Sequence, residues 1–109
     1  RRMDTIAVIT TIDSLEQARV IGSELVERKL AACVQVSPIE SIYKWQDVTQ
    51  NEQEFRVLVK TVRARYPEVE AAIQELHTYD LPAIYAVEMV EVFAPFADWV
   101  AENSSGVAN

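Results

Sequence analysis

The chain has 109 residues, half hydrophobic and a quarter charged, so it is one domain with enough apolar material for a core without disulfide or metal staples. Its formal net charge of −7 opposes nucleic acid and anionic membrane surfaces, and its single cysteine excludes an intrachain disulfide. No apolar run approaches the roughly 18–20 residues of a membrane span and no secretory signal is visible, so the expected compartment is the cytoplasm.

Met3 reads as the natural start, with Arg1 and Arg2 outside it. TIAVITT, residues 5–11, is a β-branched run of strand length, apolar enough for a central strand covered on both faces. Asp13 or Ser14 then caps a helix running from Leu15 to Arg28, with Glu16 and Gln17 placed for a capping box. Its apolar residues Ala18, Ile21, Leu25 and Val26 recur at helical spacing and face a core.

KLAACVQVSPIESIYKW follows, the stretch around which the rest of the chain is organised. It reads as a long strand, with Pro38 dividing two straight halves and Tyr43 and Trp45 at strand spacing. A polar turn is expected from Gln46 to Gln53, and then a second strand, so that the two strands of a long hairpin span 32–46 and 52–62. In the second strand Phe55, Val57 and Val59 alternate with Glu54, Arg56 and Lys60, which predicts one buried and one charged face.

Pro67 suits the first turn of another helix, in which Val69, Ala72, Ile73 and Leu76 share a face and His77 stands at the end. After the turn Thr78 to Pro82, residues 84–93 form a last strand, and a short helix over 95–102 carries Phe96, Trp99 and Val100. Residues 1–3 and 103–109 are expected to be flexible tails. The order β-α-β-β-α-β is the ferredoxin-like arrangement of the α+β class, an antiparallel sheet with helices on one face, here with a short C-terminal helix added. The other face is too apolar to stand open, which predicts an oligomer.

AVITTIDSLEQA, LAACVQVSPIESIYKWQ, and EFRVLVKT followed by ELHTYDLPAI together resemble the divalent-cation-tolerance CutA family, from about Ile6 to Trp99. The resemblance implies a tight homotrimer of ferredoxin-like subunits, with hairpins crossing onto their neighbours, and a link to tolerance of copper and other divalent cations. The chain departs from the family pattern at three places. Asp47 stands where a glycine is common, Ala83 where a glutamate is usual, and Ile9 where some members carry a cysteine.

Copper favours thiolate and imidazole, and Cys33 and His77 are the only such groups, so they are the candidate metal ligands for Cu(II) or another divalent cation. Each has an ordinary structural role as well, Cys33 as a small core hydrophobe and His77 as a helix-ending residue. Tyr43, Trp45 and Tyr79 are polar-tipped aromatics suited to an interface or a cleft, and Lys60 could hold an anion or pair with Glu54. The expected cleft is therefore Tyr43, Trp45, Lys60, His77 and Tyr79, placed near a strand end or across a subunit boundary.

No nucleophile–base pair, metal-hydrolase motif or glycine-rich phosphate loop is present, and catalysis is not expected. The fold also occurs in RNA-recognition modules, but EFRVLVKT lacks their aromatic and glycine-rich pattern and the charge is wrong. Two functions remain. One is a metal-binding or metal-responsive homotrimer; the other is a small-molecule-sensing or signalling trimer that takes an anionic ligand between subunits.

Overall fold

The computed structural model describes residues 4–106. Four strands form one antiparallel sheet: β1 Thr5–Ile12, β2 Cys33–Trp45, β3 Val48–Val62 and β4 Ile84–Glu88, in the order β2-β3-β1-β4. Helices α1 Leu15–Glu27 and α2 Tyr66–Leu76 pack on one face, and α3 Ala94–Glu102 follows β4 as the last element. The α+β, ferredoxin-like order read from the sequence is the order observed. No helix among the described residues is long and apolar enough to cross a membrane.

Alternation along the strands decides which side chains meet the helices. Ile6, Val8 and Ile12 of β1 lie beside Thr61, Val59 and Phe55 of β3, and this face carries the main core. Ala18, Ile21 and Leu25 of α1 and Val69, Ala72 and Ile73 of α2 fill it from above. α1 comes so close to β2 that a side chain on Gly22 would meet Val34 Cγ1 at 3.0 Å. Ser14, one of the two expected caps, accepts the Gln17 N–H at 3.2 Å.

The end of α1 is a Schellman closure. The Leu30 N–H donates to the Leu25 carbonyl at 3.0 Å and the Lys29 N–H to that of Val26 at 3.0 Å, with Lys29 at φ 56°. A left-handed backbone suits glycine, and a side chain there costs about 1 kcal/mol. Lys29→Gly is therefore expected to raise stability by about 1 kcal/mol in urea denaturation, and a destabilised variant would show that the lysine stem contributes more than its backbone strain.

The hairpin differs from expectation in three respects. Its turn is two residues, not eight: Gln46 and Asp47 have φ 50° and 63°, the doubly positive turn that matches strand twist. Strand pairing therefore begins at Trp45 and Val48. Pro38 does not divide β2, which pairs without interruption from Cys33 to Trp45; the strand is an edge, where a missing N–H costs no ladder bond. Glu54, expected on an exposed charged face, is buried.

Since β1 pairs only with residues 55–62 of β3, the remainder of the hairpin projects as a two-stranded ribbon. β4 is also shorter than the expected 84–93. Glu88 pairs with Ile6, the Met89 N–H reaches the Thr5 carbonyl, and beyond that β1 offers no further partner.

The second face of the sheet is covered at one end only. Lys60, opposite Ala7 and Cys33 on that face, places its Nζ 5.5 Å from the Phe96 ring centroid of α3. Val62, Ala97 and Val100 are buried there. Past α3 the chain is held, not frayed: Ser104 is buried and the Gly106 N–H donates to the Lys29 carbonyl at 2.8 Å. The rest of the expected tails, 1–3 and 107–109, lies outside the described residues.

Candidate functional site

The uncovered end of that second face carries the site. Thr11 on β1, Tyr43 and Trp45 on β2, and Gln50, Glu52 and Glu54 on β3 all point to this side, as their register requires. The loop after α2 folds across the edge of the sheet to meet them, and His77 anchors it. The His77 backbone N–H ends the helix on the Ile73 carbonyl at 2.8 Å. Its ring Nε2–H donates to the Thr11 carbonyl at 2.8 Å, and its Nδ1 accepts the Tyr79 backbone N–H at 3.0 Å. A carbonyl can only accept and a backbone N–H can only donate, so these partners select one neutral tautomer and occupy both ring nitrogens.

The Tyr79 ring lies edge-on to His77, with centroids 4.7 Å apart, and its hydroxyl donates to Glu54 Oε2 at 2.7 Å. Glu54 is the first β3 residue beyond the end of β1, and its side chain is covered by the loop, leaving 8% of the residue exposed. The result is a cleft of about 680 Å³ between the base of the ribbon and the 77–83 loop. Tyr43, Trp45 and Tyr79 supply aromatic surface; Asp13, Glu52, Glu54 and Asp80 supply four carboxylates, and the lining holds no lysine or arginine. Loss of water contact and the neighbouring Glu52 push the Tyr43 hydroxyl above its ordinary range. Burial, and then the hydrogen bond to Glu54, push that of Tyr79 much higher.

Tyr79→Phe removes the only hydrogen-bond donor to a buried carboxylate among the described residues, and is expected to cost about 1.5 kcal/mol at pH 7. The folded-state pKa of Tyr79 is raised, so above pH 10 the unfolded chain loses a proton that the folded one keeps, and stability falls as pH rises. Phenylalanine escapes that loss. The difference between wild type and variant in urea melts should therefore shrink from pH 7 to beyond pH 10; an undiminished difference would place the stabilisation elsewhere.

Of the residues expected in the cleft, the structure brings together Tyr43, Trp45 and Tyr79 and sets His77 behind Tyr79 as its support. Lys60 stands apart. It is six β3 residues from Glu54, roughly 20 Å away, under Phe96, and it does not form the expected pair with Glu54. Cys33 pairs with Lys60 and is half-buried, whereas His77 bonds Thr11 four β1 residues beyond Ala7. About 13 Å of strand thus separates the two candidate metal ligands within one subunit. Among the described residues, no three His, Cys, Asp or Glu side chains converge as a metal site. Asp13, Glu52, Glu54 and Asp80 were not singled out from the sequence as cleft residues.

Comparison with known proteins points one way. The model of the family described as CutA1 divalent ion tolerance protein matches residues 6–103. The divalent-cation tolerance protein CutA of Thermus thermophilus is 40% identical over 98 residues, covering 89% of this chain and 95% of that protein. The solved structure of the periplasmic divalent cation tolerance protein CutA from Archaeoglobus fulgidus superposes with a TM-score of 0.89 at 34% identity, covering 92% of this chain and 98% of that one. The Thermus thermophilus Cut A1 structure gives 0.88 at 39% identity, with the same coverage of both chains.

Proposed function

The chain belongs to the CutA1 divalent ion tolerance family, and from that premise we propose that it serves divalent-cation tolerance in the cytoplasm as a non-catalytic homotrimer with a weak cation site in each cleft. The observation that carries this reading is the lining of the cleft: four carboxylates, three aromatic rings and no basic side chain. Such a surface attracts cations and gives an anionic ligand nothing to pair with, so the anion-sensing alternative finds no support there.

The donor set does not fit a chelated copper ion. Cys33 is at the far end of the sheet, and both nitrogens of His77 already have partners. The carboxylates fit a harder, hydrated divalent cation held by charge. The uncovered sheet face and the projecting ribbon support the homotrimer. Ile42, Trp45 and Val48 are exposed on the ribbon, with Tyr85 and Val87 half-exposed on β4. Apolar surface of that extent is normally covered by another chain.

Calorimetric titration of Mn(II), Mg(II) and Cu(II) into wild type, Cys33→Ser and the double variant Glu52→Gln/Asp80→Asn tests the site. Removing two exposed carboxylates should weaken binding by roughly fivefold or more, at about 0.5–1 kcal/mol each. Cys33→Ser should leave it unchanged. Binding that survives the double variant but disappears with Cys33 would overturn the assignment.

A further inference from the structure

Residues 78–82, between α2 and β4, make no backbone-to-backbone hydrogen bond among the described residues. The hydrogen bonds that fix this loop run through side chains, and they run in series. His77 Nε2–H donates to the Thr11 carbonyl of β1 at 2.8 Å, and the Tyr79 backbone N–H donates to His77 Nδ1 at 3.0 Å. The Tyr79 hydroxyl then donates to Glu54 of β3 at 2.7 Å. The middle bond is the one the Tyr79 N–H makes among the described residues, so Nδ1 joins the loop to the sheet.

That bond depends on the charge of the ring. Nδ1 can accept only while it carries no proton, and imidazole is the side chain whose charge ordinarily changes between pH 5 and 8. Nε2 already bears its hydrogen, so a second proton from solvent must go to Nδ1. Two N–H groups would then face each other where one bond stood, and the attraction becomes a repulsion.

The groups around the ring favour that proton. Asp13 after β1, Glu52 and Glu54 on β3 and Asp80 in the loop border this end of the sheet with Tyr43 of β2, and no lysine or arginine stands among them. On the helix side Glu75 is paired with Arg28 of α1 at 3.0 Å, and α2 presents the carbonyl end of its dipole to His77. An imidazolium that leaves Tyr79 therefore meets acceptors, whereas the Tyr79 N–H loses its partner.

We propose that the contact of His77 with Tyr79 is a pH-sensitive latch: protonation at Nδ1 frees the 78–82 loop from the sheet and draws Tyr79 off Glu54. The latch lies within one subunit and needs neither a bound cation nor a second copy to work.

His77 is the only histidine of the chain, so its ring reports its own state. Nitrogen NMR of the labelled wild type from pH 8 to pH 5 follows the imidazole, and hydrogen exchange read by mass spectrometry follows the loop, each rate corrected for its intrinsic pH dependence. Protection of the Tyr79 amide should fall by roughly tenfold or more across that range, the size of one lost hydrogen bond, while amides of β1 and β3 keep theirs. The fall should track the imidazole titration. In His77→Asn the side-chain carbonyl can accept the N–H two residues on and never charges, so any protection left there should not change with pH. Constant protection in wild type would overturn the proposal. So would a fall centred more than about one pH unit from the imidazole titration, an equal fall in His77→Asn, or one shared by β1, which would be general acid unfolding.

Discussion

Leu25→Ala is expected to lower stability by about 3 kcal/mol, the usual cost of truncating a fully buried leucine when the surrounding structure cannot collapse into the space. Leu25 has no exposed surface and belongs to the cluster that joins α1 to Val57, Val59 and Ile73. Two features limit relaxation around it. Its carbonyl accepts the N–H groups of Leu30 and Ala31, which fixes the helix end, and one turn earlier Gly22 lets the helix sit against Val34. Leu15, at the exposed start of the same helix, provides the comparison: Leu15→Ala should cost under about 1 kcal/mol. Urea denaturation of both variants at equal protein concentration reads the difference, since the proposed assembly would make stability depend on concentration. Similar losses in the two would mean that α1 is not held by its inner stripe.

Trp45→Ala should weaken subunit association by about 2 kcal/mol or more, and Trp99→Ala by much less. Trp45 is 60% exposed in the single subunit and lies at the tip of a ribbon that no third strand supports. A two-stranded ribbon of that kind is marginal in water by itself, and its apolar tip gives an incoming copy a broad aromatic anchor. Trp99 already has company: it stacks on Phe96 of its own helix, with ring centroids 5.8 Å apart. Sedimentation of both variants in mild denaturant compares them. Equal resistance would mean that the ribbon tip does not anchor the assembly.

Most of the fold was legible because burial writes a period into a sequence. Ala18, Ile21 and Leu25 announce α1, and Phe55, Val57 and Val59 announce the inner half of β3. The outer half of β3, VTQNEQ, looked like a turn for an equally physical reason. It belongs to the free ribbon, where neither face meets a core, so nothing selects alternation. The two-residue turn was hidden because Gln46 and Asp47 adopt left-handed backbone without a glycine to signal it. β4 was read too long since MVEVF has strand composition, but a strand ends where its partner does.

The site was half legible for related reasons. Tyr43, Trp45 and Tyr79 stand out by type, and the fold does bring them together. Glu54 resembled the neighbouring charges Arg56 and Lys60 on an exposed face. Its burial depends on where β1 stops and on a loop arriving from residue 77, and neither is visible in a local window. The distance of Lys60 from the cleft could have been found by counting, because six residues of strand carry it to the other end of the sheet, under α3. His77 is marked as a metal ligand by its imidazole and its place beside Tyr79; its two hydrogen bonds make it the clasp that holds Tyr79 over Glu54.

Both the cleft and the ribbon lie on sheet surface that one subunit leaves uncovered, and the proposal that further copies cover it is the point on which the functional reading turns. The most direct measurement is the mass in solution by light scattering, on samples diluted to the low micromolar range. A species of three subunit masses that persists on dilution is the predicted result. A monomer would contradict it, because the apolar ribbon and the open sheet face would then have no copy to cover them.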